Sequence, residues 1–309
     1  MKNFAKFSYF IAVLVVVMFF ACNQSSNSKN NKETILKGTT TVLVDETLKP
    51  IIEDQIEVFE SRYVGTTINL DAKSENEVIR SLVKDTASIA ILSRTLTSEE
   101  MNVFANKKIT PKVTKFATDA VAFISSKNTN DTLVALNDIV AFMQGKSVTA
   151  IKGLVFDNPN SSTVRYMNAL AGIKSIPKTG VFSFKTNDEV IKFVSQNEGM
   201  IGIVGVNWLS QPKPAMSEVV DKVNILSVKG KLDSNYYSPT QNNIAEGKYA
   251  LARDLYIINC QGYSGLGMGF ASFVAGDIGQ RIVLKSGLLP VRIPPRKLNI
   301  RKEINNDKK

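Results

Sequence analysis

Between an apolar run, Gly153–Phe156, and a helix-like run ending at Gly172 stand Asp157-Asn158-Pro159-Asn160-Ser161-Ser162-Thr163. One hydroxyl suffices to cap a helix. Three in succession after a strand offer several neutral donors where the first N–H groups of a helix lack partners and its dipole is positive. That is the chemistry of holding an anion. Other strand ends carry Asp45-Glu46-Thr47, Ser74 and Ser93-Arg94. Hydroxyls suit an oxyanion that must be stripped of water and later released, and a guanidinium adds a bidentate, charge-assisted contact. Each residue has a plainer role when taken alone. Ser74, Thr97 and Ser161 are ordinary helix caps, and Arg94 is an ordinary surface charge. The run Ser161–Thr163 after a strand favours the anion.

Composition excludes several chemistries. The chain has 309 residues and no His. Ser-His-Asp triads, Cys-His pairs and His-ligated metals are therefore out. With Cys22 and Cys260 as its two cysteines, it cannot build a thiolate zinc site. Cys260, in the apolar stretch YIINC, reads as a core thiol. The formal net charge is +10, or +8 without Lys2 and Lys6 of the first segment. Part of the excess lies in Arg296, Lys297, Arg301, Lys302, Lys308 and Lys309. A solvated tail accounts for it, and a diffuse positive balance also suits a collector of anions.

To position such groups, one unit recurs. Val42-Leu43-Val44 is an apolar run, followed by a polar loop and a helix with Leu48, Ile51, Ile52, Ile56 and Phe59 on one stripe. Thr66–Leu70 leads to a capping box at Ser74 and Glu77, and Ser88–Leu92 to a second at Thr97 and Glu100. The second half repeats the grammar. Strands are expected at Ala120–Ser125, Gly153–Phe156, Met200–Val204 and Leu255–Ile258, and helices at Leu136–Met143, Asp188–Ser195 and Phe270–Lys285. Strand–loop–helix repeats build a mainly parallel sheet flanked by helices, so the fold class is α/β with two lobes.

The first residues are an address. Two lysines precede an apolar run of 12 residues, Phe10–Ala21. A membrane-spanning helix needs about 20, so residues 1–21 read as a signal peptide. Phe19-Phe20-Ala21-Cys22 resembles a bacterial lipobox, which makes Cys22 the lipidated N-terminus. Residues 22–36 form a flexible tether rich in Asn, Ser and Lys.

The chain resembles the PstS-like phosphate-binding subunits of bacterial phosphate ABC importers. The stretches that carry the likeness are DAVAFISSK, LNDIVAFMQGK, NSSTVRYM, NEGMIGIVG, GKYALARDLYI and GFASFVAGDIGQRIVLKSGLLPV, in family order. The resemblance implies a periplasmic-binding-protein type II fold with two crossover strands, near Lys115–Val121 and Tyr249–Leu255. It places lobe 1 at 37–118 plus 253–295, lobe 2 at 119–252 and a basic tail at 296–309. It implies a monomeric receptor, not an enzyme, with no cofactor or metal and no nucleic-acid partner. Such a receptor takes inorganic phosphate in the inter-lobe cleft for permease subunits and is held at the periplasmic face of a membrane by Cys22. The phosphate ligands would be Asp45, Glu46, Thr47, Ser74, Ser93, Arg94, Asn160, Ser161, Ser162 and Thr163, with Asp157 behind them. Gly38–Thr41 also looks like the family's first binding loop, although Asp45–Thr47 lies at the end of the strand where ligands belong. The family often has an Arg where Asp157 stands and an acid where Arg94 stands, so a swapped Arg94–Asp157 pair is expected. Another oxyanion or a metabolite is the alternative ligand. A phosphatase-like hydrolase is disfavoured by the absence of His.

Overall fold

Alternating apolar runs and amphipathic stripes fold here into strands and helices built around one large sheet. The computed structural model describes residues 33–85, 87–149 and 151–293. The signal segment 1–21, Cys22, the tether as far as residue 32 and the basic tail 296–309 lie outside the described residues. Among the described residues, no helix is long and apolar enough to cross a membrane.

The chain runs β1 (Gly38–Asp45), a 3-10 turn (Glu46–Leu48), α1 (Lys49–Arg62), β2 (Thr66–Lys73), α2 (Glu75–Val83), β3 (Ile89–Leu92), α3 (Ser98–Asn106) and β4 (Lys112–Ser126). There follow β5 (Leu133–Ala135), α4 (Leu136–Met143), β6 (Gly153–Phe156), α5 (Ser162–Ala171), β7 (Val181–Ser183), α6 (Asn187–Gln196) and β8 (Met200–Gly205). Then come α7 (Asn207–Ser210), α8 (Ser217–Val220), β9 (Val223–Ile225), β10 (Ser227–Lys229), β11 (Tyr236–Tyr237) and α9 (Gln241–Ala245). The described chain closes with β12 (Ala252–Asn259), α10 (Leu266–Ala275), α11 (Asp277–Lys285) and β13 (Leu289–Pro290).

The main sheet has the order β2-β1-β3-β12-β4-β8-β6-β7. β1 lies parallel to β2 and β3, and β6 parallel to β7 and β8. β4 joins the two parallel halves. Its residues Lys112–Ala120 pair with β12, and Val121–Ile124 pair with β8. The returning chain passes alongside, where Val121 N donates to Leu251 O at 3.0 Å. These are the two expected crossings.

Strands covered by helices on both faces need apolar side chains on both. Val42, Leu43 and Val44 of β1 and Leu154–Phe156 of β6 are accordingly buried. Phe59 of α1 packs edge-on against Phe270 and Phe273 of α10, with ring centroids 5.5 and 5.2 Å away. Such pairs add to the burial of each ring.

Two expectations need correction. The single helix Phe270–Lys285 is two, because Gly276 is extended (φ −80°, ψ 174°) and separates α10 from α11. The end of the tether is also ordered. Thr34 and Lys37 form a bridge, and the Glu33 carboxylate accepts from Leu266 N, so residues 33–36 belong to the folded body.

Candidate functional site

In this sheet the carboxyl ends of parallel strands and the starts of helices converge, as they do where open α/β sheets take their ligands. β1 delivers Asp45 and the turn that holds Glu46 and Thr47. β6 delivers Asp157 and the loop whose Ser161 caps α5, accepting from Val164 N at 3.2 Å. α6 opens with Asn187, behind a capping box of Thr186 and Glu189. From the crossover strands come Asp119 of β4 and Arg253 of β12.

These side chains form one network. The Thr47 hydroxyl donates to Asp157 Oδ2 at 3.0 Å, and Ser161 donates to Asp157 Oδ1 at 2.5 Å. Ser162 donates to Asp45. The Asn187 amide bridges two acids, donating to Glu46 Oε2 at 3.0 Å and to Asp157 Oδ2 at 3.2 Å. Arg253 pairs with Asp119 at 3.0 Å and donates to the Ser162 hydroxyl at 3.1 Å. The carbonyl of Thr47 accepts the indole N–H of Trp208 at 2.7 Å and the amide of Asn207 at 3.4 Å. Ser162, Thr163, Asp45, Thr47 and Asp157 are all buried.

Burial dominates the electrostatics. It pushes the Asp45 carboxyl up to about 7 against the opposing Ser162 hydroxyl. It pushes Glu46 to about 8, opposed by Asn187. Asp157 rises to about 6, with Ser161 and Thr47 opposing. Burial also raises Asp119, and Arg253 pulls it back. Asp45, Asp157 and Asp119 thus share the Arg253 guanidinium, and a carboxyl kept protonated near neutral pH can donate as well as accept. With hydroxyls that do both, the cluster suits a guest whose oxygens are partly protonated and partly ionised. No group of three or more acids, Cys or His among the described residues is arranged to hold a metal.

The expected residues divide in two. Asp45, Glu46, Thr47, Ser161, Ser162 and Thr163 gather around Asp157. Ser74, Ser93, Arg94 and Asn160 are engaged beside this network. Ser74 forms a capping box with Glu77, its N–H and hydroxyl donating to Glu77 Oε2 at 3.3 and 2.7 Å. Asn160 Oδ1 accepts a hydrogen bond from Asn76 Nδ2 at 3.2 Å at the exposed rim. The expected Arg94–Asp157 pair is not formed. Arg94 forks onto Glu100 with two bonds of 2.8 Å and reaches Glu75 at 3.1 Å. Glu75 is buried and also takes both Nε and Nη2 of Arg165, which donates in addition to the Ser93 hydroxyl at 3.3 Å. Glutamates close by in the fold satisfy Arg94, leaving Asp157 to the hydroxyls. Thr39–Thr41 lie inside β1, paired with Thr67–Asn69, so the turn Glu46–Leu48 is the loop at the strand's end.

Asn187, Trp208, Asp119 and Arg253 escaped the sequence reading. Arg253 carried a signal. It shares the inward register of β12 with Leu255 and Ile257, and a cation at an inward position of a strand needs a buried partner.

The family described as a PBP superfamily domain matches residues 29–277. A curated relative, the phosphate-binding protein PstS of Borreliella burgdorferi, is 27% identical over 303 residues, covering 90% of this chain and 99% of its own. The phosphate-binding protein PstS of Staphylococcus haemolyticus is 26% identical, over 78% of this chain and 77% of its own. Among solved structures, an ABC-type phosphate transport receptor from Vibrio cholerae superposes with a TM-score of 0.62 at 17% identity, covering 82% of this chain and 100% of that one.

Proposed function

The chain belongs to the PBP superfamily and has its two-lobed type II fold, and on that premise we propose that it captures inorganic phosphate between its lobes for an ABC importer. The observation that carries the reading is the meeting of the α5 N-terminus with the turn after β1. Ser161, Ser162 and Thr163 face Thr47, Asp45 and Asp157, with the Arg253 guanidinium beside them. Phosphate oxygens would take the hydroxyl donors now given to Asp45 and Asp157, together with the free N–H groups of the first turn of α5. The protonated carboxyls would satisfy the protons and oxygens that remain. Sulfate brings no proton at neutral pH, so any of these carboxyls that stays ionised finds no donor on it and repels it.

The rest of the proposal is cellular. Cys22 carries lipid and holds a monomer at the periplasmic face, permease subunits receive the ion, and the lobes comprise 37–118 plus 253–295 and 119–252. The test is isothermal titration with phosphate, sulfate and molybdate. Heat and a thermal shift with phosphate, and neither with sulfate, are expected. Silence with phosphate at millimolar concentration removes the reading. Release of phosphate from a chromogenic monoester would instead point to a hydrolase.

A further inference from the structure

A second seam joins the two halves of the sheet beside the hydroxyl cluster. Glu75 opens α2 in the half built on β1, β2 and β3, and Arg165 lies in the first turn of α5, which follows β6 in the other half. The Glu75 carboxylate is buried, yet Arg165 reaches it across the seam, donating from Nε at 2.5 Å and from Nη2 at 3.2 Å. Arg165 Nη2 also donates to the Ser93 hydroxyl, just beyond β3, at 3.3 Å. Next to them Asn76 N donates to Asn160 O at 3.4 Å, and Asn76 Nδ2 to Asn160 Oδ1 at 3.2 Å. Each of these bonds runs from one half to the other.

The two charged partners are unequally held. The Glu75 side chain is 1% exposed and has a second cation in its own half, Arg94, which donates from Nε at 3.1 Å. Arg94 is itself gripped by Glu100 through two bonds of 2.8 Å. If the halves part, Glu75 keeps Arg94 and escapes the penalty of a buried, unpaired charge. The Arg165 side chain is 38% exposed and lines, with Asn76 and Asn160, a groove of about 520 Å³. It therefore has room to swing into water. Charge also favours its return, because Arg94 stands between two acids, Glu75 and Glu100, and leaves that trio with an excess negative charge.

We propose that Glu75 and Arg165 form an ionic latch on the closed arrangement of the two lobes. Glu75 is its fixed half. Arg165 is the half that lets go and the positioning residue that keeps the first turn of α5, with Ser161 to Thr163, against the turn after β1. A bidentate, charge-assisted contact made only in the closed arrangement shifts the population toward it. The effect on phosphate affinity rests on the function proposed above, whereas the effect on closure does not.

The test compares the parent chain with Arg165→Ala and Arg165→Lys. Closure is read without ligand, from the radius of gyration in small-angle scattering and from the emission of Trp208, whose indole N–H is bonded to the Thr47 carbonyl of the other half. Arg165→Ala should enlarge the radius and red-shift the emission while the thermal midpoint stays put. Arg165→Lys keeps the charge without the planar fork and should restore part of both. In calorimetry and stopped flow, Arg165→Ala should weaken phosphate binding on the order of fivefold, mainly through faster dissociation, a modest loss because one partner is partly solvated. Scattering and emission equal to the parent's in Arg165→Ala overturn the latch and leave a fixed brace in a seam that does not part. A loss of phosphate affinity without either change also overturns it, since Arg165 would then act on the ion and not on closure. Absence of phosphate heat in the parent removes the phosphate reading alone, because scattering and emission decide the latch without it.

Discussion

Thr47 and Asp157 stand 110 positions apart in sequence, and the hydroxyl of one donates to the carboxylate of the other at 3.0 Å. This bond ties the turn after β1 to the loop after β6 in a place where burial makes ionised carboxyls costly.

Stability should therefore fall as pH rises. Asp157, Asp45 and Glu46 are raised by burial to about 6, 7 and 8 from ordinary values of 3.8 to 4.5. Between the ordinary and the raised values, the folded chain keeps protons that the unfolded chain has released. The contribution is complete below about pH 4 and is lost as pH climbs through 6 to 8, after which the curve flattens. The melting temperature, followed from pH 5 to 9, should decline by several degrees. Asp157→Asn should shrink the decline and match or exceed the parent at pH 8.5. A melting temperature that rises from pH 5 to 8 would contradict these burial shifts.

The elements that could be read from sequence were those whose environment leaves a local mark. Val42–Val44 and Gly153–Phe156 are covered on both faces, so their apolar runs stand out. The capping boxes at Ser74 and Thr97 formed because box and helix lie within four residues of each other. Of β4, the apolar pattern marked Ala120–Ser125 and the family resemblance a crossing near Lys115–Val121. Its first residues, Lys112 to Lys115, mix charge with apolar side chains at a partly exposed position. The break at Gly276 was missed because the apolar stripe continues across it. Asp45–Thr47 and Ser161–Thr163 were recognisable as hydroxyls and acids at strand ends. Asn187, Trp208 and Asp119 were not, since their partners lie on other elements and only the folded sheet brings them together.

Arg253 should be a stability residue as much as a ligand residue. It is 5% exposed, and Asp119 is fully buried. Arg253→Met leaves Asp119 as a buried acid without its cation, which costs about 3–5 kcal/mol. Removing both charges, as Arg253→Met with Asp119→Leu, should recover much of that loss, because a well-packed apolar pair forgoes the desolvation of two charges. Urea unfolding of the two single variants and the double measures the coupling. Additive losses would mean the pair is not coupled.

Phosphate capture should take up protons. Asp45, Asp157 and Asp119 share one guanidinium and Glu46 has none beside it, so an anion is accommodated best when Asp45, Glu46 and Asp157 carry their protons. Affinity for phosphate should weaken from pH 6 to 8.5, by on the order of tenfold for each carboxyl that must be reprotonated per pH unit above its titration. Calorimetry at one pH in buffers of different ionisation enthalpy counts the protons. A heat independent of buffer at pH 7.5 would show that the acids keep their protonation on binding.

Trp208 should report and help to hold the meeting of the two halves. It is the one tryptophan of the chain, so its emission has a single source. Its ring is 5% exposed, and its N–H donates to the Thr47 carbonyl at 2.7 Å. α7, which carries it, follows directly on β8, whereas Thr47 follows β1 on the other side of β4. A motion that parts the halves must break this bond and wet the indole, which quenches and red-shifts emission. Phosphate should shift the emission to the blue if it favours the closed arrangement. Trp208→Phe keeps most of the apolar bulk and deletes the donor, leaving the Thr47 carbonyl to the weaker 3.4 Å bond from Asn207. The closed arrangement then loses about 1 kcal/mol, a several-fold drop in phosphate affinity, with little change in the unfolding midpoint of the chain. Unchanged affinity in Trp208→Phe, with emission blind to phosphate in the parent, would place the hinge elsewhere.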